Sequence, residues 1–520
     1  MTSSSWSLHP PVSLSAKIPG VSLRPITELS RPDPKPLAVG GKAEPRIRAA
    51  AGLKPVLLAG LVTLVPGCVH YQDRPLAPAE TAARYEARSL ASPELQDFLI
   101  AQHVLSDRTG WPRSEWDFET LTWVAFRNHP SLELARAQWE VATAGLKTAA
   151  GRPNPTVGLT PGYNFNPARG VSPWFPGWSV DLPIETAGKR GKRMTRAGHL
   201  AESARQNVET AAWQVRGRLR AALLDAVTSS RRREQLQAQF QLQQESVRLL
   251  EQRQQAGAAS SVEVTTARLA LLRIRTATSD ATRLETEARS AVAEALGLPL
   301  AALKEVRLRF PEPAGAPQPP LEQARALALQ RRSDLRSLLA AYEASQAALQ
   351  VEIARQYPDL HLGTGYQWDQ GENKWNLALN VEVPLLNRNQ GPIAEAEARR
   401  REAAAQFTTL QARVIADIDR AASILATTED HLVQLRQADE AVGGNLEQVR
   451  RRVEAGGGDR LELQAAHLER AASTLTLLEA TARASLAAGQ LEDALQAPIQ
   501  ALSLFLFQPD PNPQTAKDTR

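Results

Sequence analysis

The sequence contains few cysteine, methionine and aromatic residues, and these shortages exclude several classes of protein. One of the 520 residues is cysteine, so an internal disulfide cannot form. Aromatic residues make up 5% of the chain and hydrophobic residues 43%, which favours long helices packed through small side chains over a compact α/β core. The histidines are at least 26 residues apart, which excludes a local metal-binding motif.

Signatures of catalysis and nucleic-acid binding are also absent from the sequence. It has no P-loop, dinucleotide-binding fingerprint or nucleophile elbow, so we expect neither an enzyme nor a bound cofactor. The 61 basic and 56 acidic residues leave a net charge of +5. These charges are interspersed along the predicted helices, which indicates solvated helix faces rather than a nucleic-acid-binding surface.

An apolar segment near the N-terminus precedes the single cysteine. Basic residues, among them Arg46 and Lys54, lie around the start of the apolar segment 56–65, and Gly67 comes directly before Cys68. This order is typical of a secretory signal, and the apolar segment is shorter than the ~20 residues that cross a bilayer. The junction resembles a bacterial lipobox, whose cysteine is acylated and becomes the mature N-terminus. Ordinary signal cleavage near an unrelated cysteine is the alternative.

The remainder of the chain contains one unit twice. Segments beginning at Leu132 and Leu335 align without a gap at an offset of 203 residues, and segments around Arg253 and Arg452 align at 199. Proline, glycine and tyrosine stay in register, which chance similarity between alanine-rich helices does not explain. The predicted organisation is an N-terminal extension and signal peptide (1–67), a lipid-anchored segment (68–115), a first unit (116–310), a second unit (320–505) and a disordered tail (506–520).

Each unit is predicted to contain a helix, a strand pair, a very long helix, a glycine break and a return helix. Apolar residues between Met194 and Ala226 recur every three or four positions, which is a heptad pattern. At 1.5 Å per residue, helices over 189–256 and 392–455 would span about 100 Å and 95 Å. Because no compact domain is that long, these helices predict a rod or the wall of a tube.

Four shorter segments show the twofold periodicity of β-strands. In the last of them, Trp375, Leu377 and Leu379 alternate with polar residues such as Asn376 and Asn380. This alternation is typical of transmembrane β-barrel strands, and a half-buried sheet in a soluble domain is the alternative. The segments cover about 156–166, 176–186, 359–369 and 374–386.

The number and composition of these strands bear on the assembly. Nine of the 26 aromatic residues lie within 156–184 and 357–386, where an aromatic belt at the membrane surface would be needed. Single-chain barrels have at least about eight strands, and lipid does not accommodate an open sheet edge. A transmembrane sheet of this size therefore requires an oligomer. Pro161 is inconsistent with an uninterrupted strand in a closed barrel.

These features together resemble the TolC-like outer-membrane efflux family over residues 68–505. Within that family, segment 184–191 is similar to the heavy-metal exporter branch. The segments that carry the resemblance are Cys68, the stretch from Trp116 to Leu132, Arg152 to Pro155, Gly162-Tyr163, Asp181 to Arg190, Tyr357-Pro358 and Val383 to Gly391.

The resemblance implies a mainly α fold with a small transmembrane β part. A homotrimer would form a 12-stranded β-barrel on an α-helical barrel, in contact with outer-membrane lipid and extending into the periplasm. Its partners would be a periplasmic adaptor and an inner-membrane pump, and it would be the exit duct for small solutes such as heavy-metal cations or drugs. A periplasmic adaptor or a structural coiled-coil lipoprotein is the alternative, although the duplicated frame and the alternating strands disfavour both.

The resemblance also indicates candidate functional residues. Family members close the periplasmic end with hairpin tips in which an acidic residue follows a glycine by six positions. Gly457 and Gly458 stand where the family often has an arginine for an ionic lock. A first-turn carboxylate that only favours the helix dipole is the alternative role for the two tip glutamates. The predicted adaptor-docking and aperture residues are Arg253, Gly257, Glu263, Arg452, Gly456 and Glu462, and the predicted lumen-facing residues are Asp181, Glu185, His361, Asn380 and Glu382.

The first prediction concerns Cys68. Because this cysteine directly follows a small residue and an apolar segment, we expect mass spectrometry of the mature protein to find it acylated and N-terminal. Cys68→Ser should weaken membrane anchoring only in part, since the strands themselves are expected to lie in the membrane. An unmodified thiol, or a mature N-terminus at another residue, would contradict the prediction.

Overall fold

In this computed structural model the described residues are 71–106, 109–310 and 320–498. They are mainly helical with a few strands, so the predicted fold class is confirmed at that level. Cys68 and the predicted tail 506–520 lie outside the described residues. Within the described ranges, no helix combines the length and the apolar character that crossing a membrane would require.

The described helices and strands are named here in chain order. The helices are α1 (Pro78–Glu86), α2 (Pro93–Ala101), α3 (Phe118–Asn128), α4 (Pro130–Ala150), α5 (Lys189–Gln255), α6 (Ser261–Leu296), α7 (Leu321–Arg331), α8 (Ser333–Ala354), α9 (Gln390–Glu454) and α10 (Arg460–Leu495). The strands are β1 (Glu115–Trp116), β2 (Thr156–Leu159), β3 (Gly162–Tyr163), β4 (Trp174–Phe175), β5 (Gly177–Ile184), β6 (Arg307–Leu308), β7 (Leu360–Asp369) and β8 (Glu372–Val381).

The element order repeats along the chain. Helix α7 begins 203 residues after α3, and α10 ends 199 residues after α6, as in the sequence alignment. Helices α5 and α9 contain 67 and 65 residues, which corresponds to about 100 Å each. The prediction of two very long helices with return helices is therefore confirmed.

The main sheet joins the strands of both units. Its four strands are all antiparallel, in the order β2-β5-β7-β8. Strand β5 therefore pairs with β7 across the two units, while β2 and β8 form the two edges. A separate pair, β3 with β4, extends from the first unit.

Two predicted strands are shorter than expected, and both are interrupted near proline. The segment predicted over 156–166 breaks after Leu159, and Pro161 lies in the gap before β3. The segment predicted over 374–386 ends at Val381, and the Leu385 N–H donates to the Val383 carbonyl at 2.8 Å in a turn around Pro384. Proline lacks an N–H group for the strand ladder, so Pro161 interrupts the first of these strands. Strand β8 ends at Val381 because its partner β7 begins at Leu360, opposite it.

The helical part has two apolar cores at equivalent places. In the first unit α3, α5 and α6 pack with the N-terminal helix α2, and buried residues include Leu99, Leu121, Leu219 and Val292. The second core lies between α7, α9 and α10, around Ile418. Helix α5 also approaches α10 closely at Gly217, where a Cβ atom would lie 2.7 Å from Asp493 Oδ2. Small residues on α5 therefore let the two units come together.

A charged cluster connects α5 of the first unit to α10 of the second. Arg220 Nη2 lies 2.7 Å from Glu492 Oε2, and Arg216 Nη1 lies 3.1 Å from the same oxygen. Arg220 Nη1 is 3.0 Å from Asp493 Oδ1, and its side chain is 4% exposed. Burial raises the pKa of the Asp493 carboxyl and lowers the pKa of Arg216. Both arginines also lie over the Phe118 ring, so the cluster is desolvated on several sides.

Replacing Arg220 with methionine tests this connection. The methionine would keep much of the packing but leave Asp493 without its cation, so we expect a loss of roughly 3 kcal/mol in the free energy of unfolding. That value is at the low end for a broken buried ion pair, because Arg216 still contacts Glu492. The measurement is the denaturant midpoint of the purified protein in detergent.

The matched control is Arg283→Ala. Arg283 pairs with Glu287 within α6 at 2.7 Å, and both side chains are more than half exposed. Its loss should cost no more than about 0.5 kcal/mol. Equal effects of the two substitutions would show that the charged cluster does not hold the units together.

Candidate functional site: strand faces and hairpin tips

The main sheet has one apolar face, which the strand register defines. Directly paired residues share a face, and these pairs join Trp178 to Tyr366, Leu182 to Leu362, and Leu362 to Leu379. Much of this face is bare in the single chain, since Leu377 is 76% and Leu379 64% exposed. Apolar patches of this kind mark surfaces that contact another protein or lipid. The predicted alternation of apolar and polar faces is therefore present in the structure.

Aromatic side chains cluster at the end of this sheet that is distant from the long helices. The ring centroids of Tyr366 and Trp375 are 4.9 Å apart, and Trp178 lies 5.8 Å from Trp375 in an edge-to-face arrangement. On the neighbouring strand pair, Tyr163 and Trp174 are 5.0 Å apart. Aromatic side chains at one level of a sheet suit the boundary between lipid and water.

The opposite face of the sheet carries polar groups. His361 is paired in register with Asn380, and His361 Nδ1 lies 2.9 Å from Asp181 Oδ2 across strands β5 and β7. Three of the predicted lumen residues therefore lie on one face, and two of them are in direct contact. Sequence periodicity placed them on that face, but only the pairing of β5 with β7 brings Asp181 to His361.

The two predicted lumen glutamates lie beyond the strand ends. Glu185 follows β5 and forms an ion pair with Arg193 of helix α5, so its charge is compensated. The hydrogen bond to Glu185 raises the pKa of Arg193. Glu382 follows the last residue of β8. The structure thus places both carboxylates at the junction between sheet and helices rather than on the strands.

A buried lysine at this junction was not identified from the sequence. Lys189 begins α5, and its Nζ donates to the Tyr357 carbonyl at 2.7 Å and to Asp359 Oδ1 at 2.8 Å. The Thr186 N–H also donates to Asp359 at 2.9 Å. These contacts connect the first unit's long helix to the segment that enters β7. The available sequence signals were Lys189 at the start of a helix a few residues after a strand, and Asp359 directly after Pro358.

Both hairpin tips turn at a glycine in the left-handed conformation. Gly257 has φ +75° and Gly456 has φ +79°, a region that favours glycine. The Ala258 N–H donates to the Arg253 carbonyl at 2.7 Å, and the Gly457 N–H to the Arg452 carbonyl at 3.0 Å. These bonds close the ends of α5 and α9 in the manner of a Schellman motif.

Glu263 caps the return helix of the first hairpin. The Glu263 N–H donates to Ser260 Oγ at 3.2 Å, and the Ser260 N–H donates to Glu263 Oε2 at 2.7 Å. This reciprocal arrangement is a capping box. The hydrogen bond from the Ser260 backbone holds the pKa of the Glu263 carboxyl below its usual value. Glu263 therefore has the structural role that was the alternative to a docking role.

The equivalent arginines of the two tips have different partners. Arg452 forms an ion pair with Glu462 of its own hairpin. Arg253 instead reaches the other hairpin and forms an ion pair with Asp459. The Glu263 carboxylate accepts a hydrogen bond from Ser260. It therefore does not pair with the arginine of its own hairpin as Glu462 does in the second tip.

Asp459 was not identified from the sequence. It is the N-cap of α10, where its Oδ1 accepts from the Leu461 N–H at 3.1 Å. The hydrogen bond from Arg253 lowers the pKa of this carboxyl. An aspartate directly before a predicted helix is a capping signal, but its partner on another hairpin depends on the tertiary structure.

The family profile described as "Outer membrane efflux protein" matches this chain twice. The matched residues are 124–298 and 324–497, which together exceed half of the 520 residues. The chain belongs to this family. Its two matches coincide with the two copies of the repeated helix and strand order.

A curated relative and several solved structures are similar to this outer membrane efflux protein. The cobalt-zinc-cadmium resistance protein CzcC of Cupriavidus metallidurans is 27% identical over 227 residues, which are 42% of this chain and 52% of CzcC. The chain thus matches about half of that relative's length.

The solved structures show the same fold at low identity. The outer membrane protein VceC of Vibrio cholerae superposes with a TM-score of 0.59 at 19% identity, covering 74% of this chain and 96% of VceC. CusC, described with conformational changes that accompany transmembrane channel formation, gives 0.57 at 17% identity, with 75% of this chain and 94% of CusC covered.

The Arg253–Asp459 ion pair yields a prediction that Asp459→Asn tests. Asparagine keeps the helix cap but removes the negative charge, so we expect the tip segments 256–260 and 455–459 to exchange backbone hydrogens roughly two- to fivefold faster, as for an exposed ion pair. The control is Arg450→Gln, which removes an exposed pair with Glu447 on the same helix as one tip and should leave exchange in segment 256–260 unchanged.

The same contact predicts a pH dependence. A carboxyl whose folded pKa is depressed contributes stability above its unfolded value, and this contribution is lost as pH falls through the folded pKa. After correction for intrinsic rates, hydrogen exchange at the wild-type tips should therefore approach that of Asp459→Asn once the pH is well below the ordinary aspartate value of 3.8. Wild-type protection that persists at such a pH would show that the ion pair does not hold the tips.

Proposed function

We propose that this protein is the outer-membrane exit duct of a tripartite efflux system, through which small solutes leave the cell passively. The observation that carries the proposal is the combination of family membership with a four-stranded sheet whose apolar face is bare and whose edges are open. A periplasmic adaptor or a structural coiled coil would have no use for such a sheet.

The open edges support assembly as a homotrimer. Among the described residues, strands β2 and β8 each have one unpaired side, and unpaired backbone groups cost several kcal/mol each in lipid. Joining β8 of one chain to β2 of the next satisfies these groups. Three chains would complete a 12-stranded barrel, with the apolar face toward lipid and the aromatic clusters at the membrane surface.

The polar face would then line the lumen. Asp181, His361 and Asn380 would each occur three times around the barrel, with Glu185 and Glu382 at its base. Helices α5 and α9, each about 100 Å long, would continue the lumen through the periplasm. We further propose that the chain is held at the outer membrane by a lipid on Cys68, and that the two units are the repeats 116–310 and 320–505.

The hairpin tips are the proposed docking surface for the periplasmic adaptor. Gly257 and Gly456 have nothing within 4 Å of a built Cβ position, so small residues leave room for another helical hairpin. Arg253 and Arg452, with Glu462, supply charge at the same level, and the Arg253–Asp459 pair joins the two hairpins there. An inner-membrane pump would complete the system.

Heavy-metal cations are the proposed class of exported solute. The relative CzcC is named for resistance to cobalt, zinc and cadmium, and segment 184–191 was similar to the heavy-metal branch. Carboxylate and imidazole groups on the polar face, such as Asp181 and His361, are compatible with passing divalent cations.

Gly257→Trp tests the docking surface. The bulky side chain should abolish export of cobalt, zinc or cadmium while the trimer remains in the outer membrane, measured by metal accumulation and by crosslinking of membrane fractions. The matched control is Gly257→Asn, since asparagine tolerates the left-handed conformation without the bulk. Normal export by the tryptophan variant would place docking elsewhere.

Leu379→Arg and Asn380→Arg test which face meets lipid. These neighbours point to opposite faces of β8, so arginine at Leu379 would enter lipid at a cost of about 2–4 kcal/mol near the middle of the membrane. Arginine at Asn380 would enter a water-filled lumen. The amount of assembled trimer should fall for Leu379→Arg only, and equal amounts for both variants would refute the assigned faces.

A further inference from the structure

The strand order of the main sheet indicates how neighbouring chains would meet. Strand β5 is the last main-sheet strand of the first unit, and it pairs with β7, the first main-sheet strand of the second unit. In the proposed homotrimer, β8 of one chain would pair with β2 of the next, which again joins a last strand to a first strand. The second unit would therefore contact the first unit of the neighbouring chain in the way that the two units contact each other within one chain.

Helix α4 is bare on the face that is buried in α8. In the second unit, Ser337 and Ala344 of α8 are 4% and 3% exposed, and Ser337 Oγ lies 3.0 Å from Ser203 Oγ of α5. At the offset of 203, these two α8 residues correspond to Leu134 and Val141 of α4, which are 60% and 73% exposed. Within the described part of the chain, α4 thus lacks the neighbour that covers α8. The equivalent of that neighbour is α9 of another chain, because α9 follows β8 as α5 follows β5.

Helices α5 and α10 show how the two units meet within one chain. Between the buried charged cluster and the hairpin tips, Arg232 Nη1 of α5 lies 3.1 Å from Glu479 Oε1 of α10. Closer to the tips, Gln464 Nε2 donates to the Leu242 carbonyl at 2.7 Å. Polar groups therefore join these two helices along the length of their contact.

The helices that would make the equivalent contact between chains are α9 and α6. At the offset of 199, Arg232 corresponds to His431 of α9, and Glu479 corresponds to Asp280 of α6. Both His431 and Asp280 are exposed, and neither forms an ion pair among the described residues. An imidazole N–H donates to a carboxylate as a guanidinium N–H does. The two substitutions therefore keep a donor opposite a carboxylate at this place.

The other ion pairs between α5 and α10 have no such counterpart. Within the chain they join Arg216 to Glu492, Arg220 to Asp493, and Arg253 to Asp459. The equivalent residues are Ile415 with Ala293, Asp419 with Glu294, and Arg452 with Ser260. None of these combinations joins a cation to an acid, and Asp419 and Arg452 are already paired within their own chain. Of the four places, the one with His431 and Asp280 keeps the chemistry of the contact.

We propose that His431 donates a hydrogen bond to Asp280 of the neighbouring chain, at the place where Arg232 meets Glu479 within each chain. Three such pairs would join α9 of every chain to α6 of the next, about 30 Å from the hairpin tips. This inference rests on the proposed homotrimer, and it identifies a polar contact that holds the proposed helical barrel together.

Crosslinking of two full-length chains tests the pair directly. One chain carries His431→Cys and a differently tagged chain carries Asp280→Cys, and both are produced in the same cells. A short bismaleimide should give a product of two-chain mass that carries both tags. The matched control uses Thr282→Cys in place of Asp280→Cys, at an exposed position on another side of α6. A chain with both Arg232→Cys and Glu479→Cys should give a crosslink of single-chain mass, which checks the reach of the reagent.

The outcomes separate this pair from the proposed assembly. Light scattering of the detergent-solubilised protein measures the number of chains independently of the crosslink. Trimers that give no two-tag product above the Thr282→Cys control would overturn the pair of His431 with Asp280 and leave the proposed exit duct standing. A protein that remains a single chain would overturn both.

Charge reversal gives a second measurement, which does not depend on a crosslink. His431→Glu would set two carboxylates against each other at three places, so the fraction of trimer that survives dilution in detergent should fall at least about threefold. Adding Asp280→Arg should restore this fraction, because a donor and an acid then face each other again. The control Gln437→Glu adds a negative charge at an exposed position on another side of α9 and should have no effect. An unchanged trimer in His431→Glu, or a loss that Asp280→Arg does not restore, would refute the proposal.

Discussion

The backbone groups along β2 and β8 that have no partner in the described part of the chain are the constraint on which the rest of the arrangement depends. A four-stranded antiparallel sheet with an exposed apolar face and two open edges is unstable as a single chain in lipid, because each missing hydrogen bond costs several kcal/mol there. In the proposed homotrimer, edge-to-edge joining of identical chains removes both edges at once. Lys189 and Asp359 fix the continuation of β5 into α5. In the proposed assembly this continuation would place the long helices beneath the sheet around the same axis.

The two units share one order of helices and strands because of the duplication, and later substitutions made the units different. At equivalent positions of α5 and α9 the charge is reversed, with Arg220 in the first unit and Asp419 in the second. Arg220 turns toward the carboxylates of α10, while Asp419 pairs with Arg325 of α7. The pair of Arg220 with Glu492 therefore joins the two units through opposite charges, which attract more strongly in a buried interface than in water. The same divergence gives Arg253 a partner on the neighbouring hairpin.

The sequence predicted those parts of the structure that depend on local periodicity, and missed those that depend on tertiary pairing. Heptad spacing predicted the long helices, and the alternation of apolar and polar residues predicted the strand faces. The internal repeat predicted the order of these elements along the chain. The end of β2 was misjudged because periodicity continues through Pro161, although proline cannot donate to the ladder. The end of β8 was misjudged because it depends on where its partner β7 begins. No local pattern identifies the partners of Lys189, Arg220 and Asp459. Their roles follow from partners more than a hundred residues away, which one sequence does not identify.

The Arg253–Asp459 pair lies within a single chain, and this has a consequence for how a threefold tip would open. An ion pair between neighbouring subunits would tie every subunit to the next, so that opening one tip would disturb the whole ring. In the proposed homotrimer, a pair inside each chain leaves the three tips energetically independent at this contact. The proposed periplasmic end of this assembly would then widen one subunit at a time, through asymmetric intermediates, rather than in one concerted step.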